Sequence, residues 1–278
     1  MILTRFDYAR PASVGEAVAL LEATGGLPLG GGQSLLVGLA TGETETPILV
    51  DLSTIDELRG ITPGAAGGGL RVGASTTLSE LASDPEVLRL APALAEAARA
   101  NDDAQVRNRA TVGGNLVADR PGPARATDLP VAAVALGATV TVADASGRRT
   151  VPAELLGSVL TPSAVVVALE IPPGGEVSGF EKWADRATRF PMCAVAVRVD
   201  RAAGTCGVAV TAATPAPIRL PGVESRLAGG ARPTIREVIT AVTAEPITTF
   251  RSGHGASAEY LRHLTGVLAG RALHRSWR

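Results

Sequence analysis

The sequence of 278 residues predicts an α+β fold built from three consecutive domains, at residues 1–60, 61–175 and 176–278. Through the first two domains, segments with apolar residues at helical spacing alternate with short strand-like runs. In the last domain, two long apolar runs surround a glycine turn, which is typical of antiparallel strands, and helical patterns follow. The segment "PPGGEV" at 172–177 marks the boundary before this last domain.

The first domain contains clear local signals. The run "SVGEAVALLEA" at 13–23 predicts a helix with Ser13 as its N-cap. "LPLGG" predicts a short strand that leads into a glycine turn, and "PILVDL" at 47–52 predicts a buried strand. Ser53 is a candidate cap for the segment "STIDELRGI" that follows.

The second and third domains continue this alternation. A Gly-rich hairpin leads into "LRVGAST", then "TLSELAS" and "LAPALAEAARA" have helical spacing, and "NRATVGGNLV" contains a second glycine turn. "DLPVAAVALGATVTVADASGRR" predicts a helix, a strand and a hairpin, and the run 163–172 predicts another strand. In the third domain we expect an antiparallel meander, followed by helices in "TIREVITAVTA" and "SAEYLRHLTGVLAGRALHR".

Composition limits the kinds of partner. A net charge of −1 gives no support for a nucleic acid or an acidic membrane surface as the main partner. No apolar run approaches the roughly 18 residues that a membrane span needs, and the N-terminus lacks the apolar core of a signal peptide. We therefore expect a soluble cytoplasmic protein without membrane insertion.

Metal binding is not expected. The chain has two cysteines, Cys193 and Cys206, whereas an iron–sulfur cluster or a structural zinc needs about four ligands. The three histidines, His254, His263 and His274, lie near the C-terminus and are typical of solvated helix positions. No metal site is predicted.

Two glycine turns are the strongest functional signals. We call residues 30–35 the first glycine motif and residues 111–115 the second. Adjacent glycines expose backbone N–H groups, and small polar neighbours add donors, so each turn could hold a phosphate or be a plain tight turn. A P-loop is excluded because Lys182, the only lysine, is far from both motifs, and a Rossmann motif is rejected because its third glycine is missing.

Several segments occur in the order found in one protein family. They are "GGGQSLL", "VDLSTIDELRGI", "LRVGASTTLSEL", "AQVRNRATVGGNLVAD", "DLPVAAVALGATV" and "SAEYLRHLTGVLAGRAL". Over nearly its whole length the sequence resembles the FAD-binding medium subunit of molybdenum hydroxylases, of the carbon monoxide dehydrogenase and xanthine dehydrogenase type. The resemblance implies a two-subdomain FAD-binding fold of the PCMH (vanillyl-alcohol-oxidase-like) type, followed by an α+β C-terminal domain with an antiparallel sheet.

The resemblance also assigns residues to the FAD. In the family, two glycine loops hold the diphosphate, so we expect the first motif to admit a dinucleotide pyrophosphate against its backbone. The assigned residues are Gly30, Gly31, Gly32, Gln33, Ser34, Leu35, Thr111, Gly113, Gly114, Asn115, Asp128 and Lys182. Asp128 corresponds to a carboxylate near the ribityl chain, and Lys182 to a lysine beside the flavin, where a cation stabilises negative charge on the reduced ring. A solvated lysine at a strand end is the alternative interpretation of Lys182.

The sequence departs from the family pattern in three places, and the first two lie near the expected flavin end. About four residues are inserted between Asn115 and Asp128, so Asp119 is an alternative for the carboxylate, although the sequence after Asp128 matches better. In "RATRFP", Arg189 stands where the family has an acidic residue. The segment after the first motif lacks the usual Met- and Lys-containing pattern.

The leading hypothesis is an electron-transfer subunit that needs no catalytic residue of its own. By resemblance, a large subunit holds the molybdenum cofactor and a small subunit holds [2Fe–2S] clusters, from which this chain passes electrons through FAD to an external acceptor. The family's complexes imply that the chain is part of an oligomer. One alternative is a stand-alone FAD-dependent oxidoreductase acting on a small organic molecule, and another is a scaffold that has lost the cofactor.

Overall fold

Three β-sheets form the framework in the computed structural model, which describes residues 5–64, 67–117, 126–201, 203–229, 232–253 and 255–277. The strands within these ranges are β1 Asp7–Ala9, β2 Leu27–Leu29, β3 Ile48–Asp51, β4 Ile61–Pro63, β5 Leu70–Gly73, β6 Thr139–Asp144, β7 Gly147–Pro152, β8 Val165–Ile171, β9 Ser178–Ala184, β10 Pro191–Asp200, β11 Thr205–Thr211 and β12 Ile218–Arg219. The α-helices are α1 Val14–Thr24, α2 Leu35–Thr41, α3 Leu78–Ser83, α4 Pro85–Leu90, α5 Pro92–Arg99, α6 Ala104–Arg107, α7 Val112–Leu116, α8 Leu129–Ala135, α9 Leu156–Val159, α10 Pro221–Leu227, α11 Ile235–Thr243 and α12 Ala258–Ser276.

The first sheet is parallel, with the strand order β1-β3-β2. Helix α1 is capped by Ser13, whose hydroxyl accepts from the Glu16 N–H, as the sequence predicts, and its apolar face is buried. β2 and β3 end side by side, because Leu29 is paired with Asp51. The first glycine motif and Ser53 therefore leave the same carboxyl edge of the sheet, the edge at which open parallel sheets commonly bind ligands.

The second sheet is antiparallel, with the order β4-β5-β8-β6-β7. The predicted hairpin between β4 and β5 is confirmed, and so are the helix α8 and the hairpin of β6 and β7 that follows it. Helices α3, α5, α7 and α8 contribute buried residues to the core on this sheet. Residues 74–77 continue directly from β5 and lead to α3.

The third sheet, β12-β11-β10-β9, is the predicted antiparallel meander with helices α11 and α12 packed on it. Alternate residues of β10 face opposite sides: Ala194 and Ala196 join the core of the second sheet, whereas Val195 and Val197 pack in the core formed with the two helices. Burial on both faces explains why β10 is an almost continuous apolar run.

The hydrophobic cores cross the predicted domain boundaries. The core under α1 includes Ala143, Val165 and Val167 from the second sheet, and the core of the second sheet includes Phe180 and Ala209 from the third. The division at 60/61 and 175/176 therefore remains a prediction. No helix in the described part of the chain is long and apolar enough to span a bilayer.

Two local predictions were wrong. Ser53 does not cap a helix, because its N–H donates to the Asp51 carboxylate (2.8 Å) in a turn, and the short 3₁₀ segment begins later, at Asp56. The second glycine turn is helical: Thr111 caps α7, and Gly113 and Gly114 lie inside this short helix. In both cases a side-chain oxygen accepts a hydrogen bond from a backbone N–H, and this bond fixes the local conformation.

We predict a pH-dependent effect of Tyr8→Phe. Burial raises the pKa of Asp51, but hydrogen bonds from Tyr8 and Ser53 and the charge of Arg10 outweigh it, so this pKa lies below its usual value. Such a carboxyl adds stability that is present above its unfolded-state pKa and is lost as the pH falls through its folded-state pKa. Tyr8→Phe should therefore lower the Tm at neutral pH, and its difference from wild type should shrink in acid.

Thermal unfolding across a pH series measures this effect. Tyr260→Phe, at the other tyrosine of the chain, is the matched control and should follow the wild type. A Tyr8→Phe difference that stays the same at every pH would contradict the role given to Asp51.

Candidate cofactor-binding site

The two glycine motifs pack directly against each other. A Cβ at position 31 would collide with the carbonyl oxygen of Arg109, and one at position 30 would lie 2.8 Å from the Thr111 hydroxyl oxygen. Side chains are absent from Gly30 and Gly31 because the second motif and the two residues before it occupy that space. The sequence suggested a bound pyrophosphate as the close neighbour, whereas the structure shows the protein's own chain there.

The rest of the first motif turns the chain from the sheet into α2. Gly32 has φ = +74°, a left-handed conformation that favours glycine, and its carbonyl accepts from Leu36 N–H (3.1 Å). Ser34 occupies the N-cap position of α2 without a side-chain capping bond. Gln33 is exposed and donates to the Gly31 carbonyl (3.3 Å), and Leu35 begins the helix.

The second motif is fixed to the segment that follows β5. Val112 N–H donates to the Thr76 carbonyl and Gly113 N–H to the Ala74 carbonyl, each at 2.8 Å. A Cβ at Gly113 would lie 2.9 Å from the Ala74 Cβ, so this approach also requires a glycine. The hydroxyl of Thr111 accepts from Gly114 N–H (3.2 Å) and holds the first turn of α7.

A cleft of about 310 Å³ lies where the motifs meet. Its lining includes Gly30, Gly31 and Thr111, with two arginines, Arg59 and Arg109. Four hydroxyl side chains also line it: Ser53, Ser75, Thr76 and Thr77. Sequence reasoning missed these hydroxyls and arginines, although the run "GASTT" at 73–77 directly after a strand was a usable signal.

The chemistry of this cleft suits a diphosphate. Hydroxyl and guanidinium groups donate hydrogen bonds to phosphate oxygens, and the backbone of Gly30 and Gly31 borders the same space. Glu80 is the acidic residue in the lining, and its carboxylate accepts from the backbone N–H and hydroxyl of Thr77 at 2.7 and 2.8 Å. The donor set therefore fits the diphosphate of a dinucleotide such as FAD.

Asn115 connects the second motif to Asp128. Its side-chain oxygen accepts from Leu129 N–H (3.0 Å), and its carbonyl accepts from the Thr127 hydroxyl (2.7 Å). These bonds fix the start of α8, where Asp128 lies. The alternative carboxylate, Asp119, and most of the inserted segment lie outside the described residues.

Asp128 and Lys182 form a buried ion pair, with 3.0 Å between Nζ and Oδ2. Burial raises the pKa of the Asp128 carboxyl, and the Lys182 ammonium offsets only part of this effect. Within the described part of the chain, the buried Oδ1 atom of Asp128 has no hydrogen-bond partner. It is therefore a buried acceptor that no group in the described residues satisfies.

Lys182 is not a solvated lysine at a strand end. Besides Asp128, its ammonium donates to the carbonyls of Ala100 (2.7 Å) and Arg189 (3.4 Å). Its side chain is only 10% exposed. The three N–H groups thus donate to acceptors from three separate segments. The Lys182 ammonium therefore has no free donor for a ligand and can act on one only through its charge.

Arg189 lies in the loop between β9 and β10, which departs from the family pattern. Its backbone has φ = +64°, unusual for a residue with a side chain, and its guanidinium pairs with Asp102 at 3.3 Å. This loop is tied to the rest of the site through the bond from Lys182 to the Arg189 carbonyl.

The last helix holds β9 in place. Arg275 of α12 donates to Glu96 and Glu181 at 2.7 Å and to the Phe180 carbonyl at 2.8 Å. Glu96 in turn accepts from the Phe180 N–H. The strand that carries Lys182 is therefore fixed from both α5 and α12.

The cysteines are inert and form no metal site. Cys193 and Cys206 are free thiols, and burial raises their pKa to about 12 and about 11. In the described residues, no three His, Cys, Asp or Glu side chains gather in a way that could hold a metal, and His254 lies outside those residues.

A parallel sheet and an antiparallel sheet that meet at paired glycine motifs, followed by an α+β unit, define a dinucleotide-binding flavoprotein. Residues 4–174 match the family described as FAD binding domain in molybdopterin dehydrogenase, and residues 178–276 match the CO dehydrogenase flavoprotein C-terminal domain. The chain belongs to this family of FAD-binding subunits of carbon monoxide and xanthine dehydrogenase-type oxidoreductases. The predicted fold class, FAD as cofactor and the family resemblance are thereby confirmed.

Individual relatives resemble the chain along its whole length. The carbon monoxide dehydrogenase medium chain of Hydrogenophaga pseudoflava is 34% identical over 293 residues, covering 100% of this chain and 99% of that one. The nicotine 6-hydroxylase medium subunit of Paenarthrobacter nicotinovorans is 29% identical over 98% of both chains.

Solved structures give the same result for the fold. A structure of the Hydrogenophaga pseudoflava carbon monoxide dehydrogenase that lacks the Mo-pyranopterin moiety of its cofactor superposes with a TM-score of 0.88 and 34% identity, over 100% of this chain and 99% of that chain. Quinoline 2-oxidoreductase from Pseudomonas putida 86 superposes with a TM-score of 0.86 and 27% identity, over 99% and 98% of the two chains.

We predict that Gly31→Ala separates the two motifs. The added Cβ meets backbone atoms of Arg109 and Ala110, which cannot rotate away as a side chain would, so overpacking should cost about 1–3 kcal/mol. The Tm and the FAD content of the purified protein should both fall. Gly15→Ala, at an exposed position of α1 with no close neighbour, is the control and should be neutral or slightly stabilising. Equal Tm values for the two variants would contradict the close packing of the motifs.

Proposed function

We propose that this chain is the FAD subunit of a molybdenum hydroxylase complex and carries electrons from [2Fe–2S] clusters to an external acceptor. In this proposal, a large subunit holds the molybdenum cofactor and a small subunit holds the clusters. The observation that carries it is the meeting of both glycine motifs at one cleft, in a chain that matches medium subunits from end to end. The two buried cysteines also support it, because the clusters then need ligands from another chain.

The proposed cofactor-binding residues fall into two groups. The two glycine motifs hold the diphosphate: Gly30, Gly31, Gly32, Gln33, Ser34 and Leu35 form one side, and Thr111, Gly113, Gly114 and Asn115 form the other. When bound, FAD supplies the redox chemistry, because its flavin ring accepts and releases electrons. The subunit's own residues bind and orient the cofactor, and no catalytic residue is assigned.

Asp128 and Lys182 form the second group, at the proposed flavin end. The unpartnered Oδ1 atom of Asp128 accepts a ribityl hydroxyl, which would satisfy a buried polar atom. Lys182 provides a fixed positive charge, because its three donors hold Asp128, Ala100 and Arg189. A buried charge acts on a nearby ring through the low-dielectric interior without a hydrogen bond to it.

The test is to purify the full chain from its native host through an affinity tag and to analyse what accompanies it. We expect FAD after acid release, together with molybdenum, iron and acid-labile sulfide, and slow or absent turnover by the chain expressed alone. A purified chain that contains FAD but no iron or molybdenum, and oxidises a small organic molecule by itself, would establish the stand-alone alternative instead. A chain that takes up no FAD would contradict both.

We predict that Lys182→Met and Asp128→Asn shift the reduction potential of the bound flavin in opposite directions. Loss of the ammonium removes the positive charge and should make the potential more negative by about 30 mV, which is about 1.4 kcal/mol for a two-electron couple. Loss of the carboxylate leaves the ammonium and should make the potential more positive. Lys182→Arg keeps the charge and is the control.

Spectroelectrochemical titration of the FAD-loaded protein measures these potentials, and circular dichroism verifies that each variant is folded. Shifts of the same sign in both variants would show that the pair affects the flavin only through structure.

A further inference from the structure

The cleft between the glycine motifs contains two arginines that neither motif includes. Arg59 follows the 3₁₀ segment after β3, and Arg109 directly precedes the second motif. They come from separate segments of the chain, and both line the cleft. Two positively charged residues therefore border one space.

Arg59 is anchored at the cleft. Its Nε donates to the Ser53 carbonyl at 3.1 Å, and its Nη2 donates to the same oxygen. Ser53 also lines the cleft, so this bond fixes where the guanidinium lies. Among the described residues, the remaining nitrogen, Nη1, has no acceptor and Arg59 has no acidic partner.

Arg109 is fixed through its backbone. Its carbonyl is the group that packs against Gly31, and its N–H donates to the Val106 carbonyl at 3.0 Å. The backbone position is thus set by the contact between the motifs. In the described part of the chain the guanidinium has no hydrogen-bond or ion-pair partner, and Arg109 is one of the residues that line the cleft.

The cleft has an uncompensated positive charge. Glu80 is the carboxylate in its lining, and that group already accepts two hydrogen bonds from Thr77. A guanidinium presents several donors in a planar fork that matches phosphate oxygens, and such charge-assisted bonds are stronger than neutral ones. Two arginines that line one cleft are therefore suited to a ligand with two linked phosphates.

We propose that Arg59 and Arg109 bind the diphosphate of FAD from opposite sides and provide much of the affinity for a dinucleotide. This inference rests on the proposed placement of the diphosphate between the motifs. The glycine motifs contribute backbone groups that contact the phosphates. The arginines contribute positive charge that balances the negative charge of the phosphates. The two arginines add no affinity for a flavin without a diphosphate, such as riboflavin.

The test measures binding and not turnover. The full chain is stripped of flavin and titrated with FAD at several salt concentrations, with flavin fluorescence as the signal, and ADP and riboflavin are used as further ligands. The variants are Arg59→Gln, Arg109→Gln and the double variant. Arg236→Gln, an exposed arginine of α11 outside the cleft, is the control.

Each single variant should weaken FAD binding about ten-fold, and the double variant more, because each removes a charge-assisted bond to phosphate. The double variant should also lose most of its salt dependence and its competition by ADP, while its affinity for riboflavin stays unchanged. Replacing both arginines by lysine should restore part of the FAD affinity.

Wild-type FAD affinity and salt dependence in the double variant would overturn the arginine assignment and leave FAD binding by the chain intact. If the double variant is unstable, the single variants decide, and unchanged affinity in both would overturn it equally. A wild-type chain that binds no FAD would instead contradict the proposed function itself, and this inference with it.

Discussion

The contact of Gly31 with the Arg109 carbonyl is the constraint on which the site depends. It joins the carboxyl edge of the parallel sheet to the chain that follows β5, because the second motif is bonded to Ala74 and Thr76. A side chain at position 31 would need the space that the backbone occupies. The shape of the cleft therefore depends on the close approach of the first motif's backbone to the backbone of Arg109. Because this contact is tightly packed, the polar groups around the cleft have fixed positions.

Further bonds connect this contact with the buried ion pair. Asn115 at the end of the second motif fixes the start of α8, α8 begins next to Asp128, and Asp128 meets Lys182 of β9. Lys182 then holds the loop that contains Arg189. The cleft between the motifs and the ion pair are thus parts of one hydrogen-bonded framework, so a change in the β9–β10 loop acts on the residues around Asp128.

Local patterns predicted the elements well, because their causes lie within a few residues. Ser13 caps α1 through a neighbour three residues away, and the nearly continuous apolar run of β10 reflects its two buried faces. The reason for Gly31 was not predictable, since Arg109 is distant in sequence and no pattern shows which segment packs there. Family resemblance selected both Asp128 and Lys182, but that they pair with each other depends on how β9 packs against α8 and α5.

The support of β9 by Arg275 has a consequence for how the protein is made. The cleft between the motifs is lined by residues from the first 111 positions, but Lys182 lies on a strand that the C-terminal helix holds in place. During synthesis, the early sheets can fold while Arg275 is still within the ribosome, since domains fold progressively from the N-terminus. Lys182 therefore reaches its supported position later than the residues that line the cleft, because its strand depends on contacts with α12.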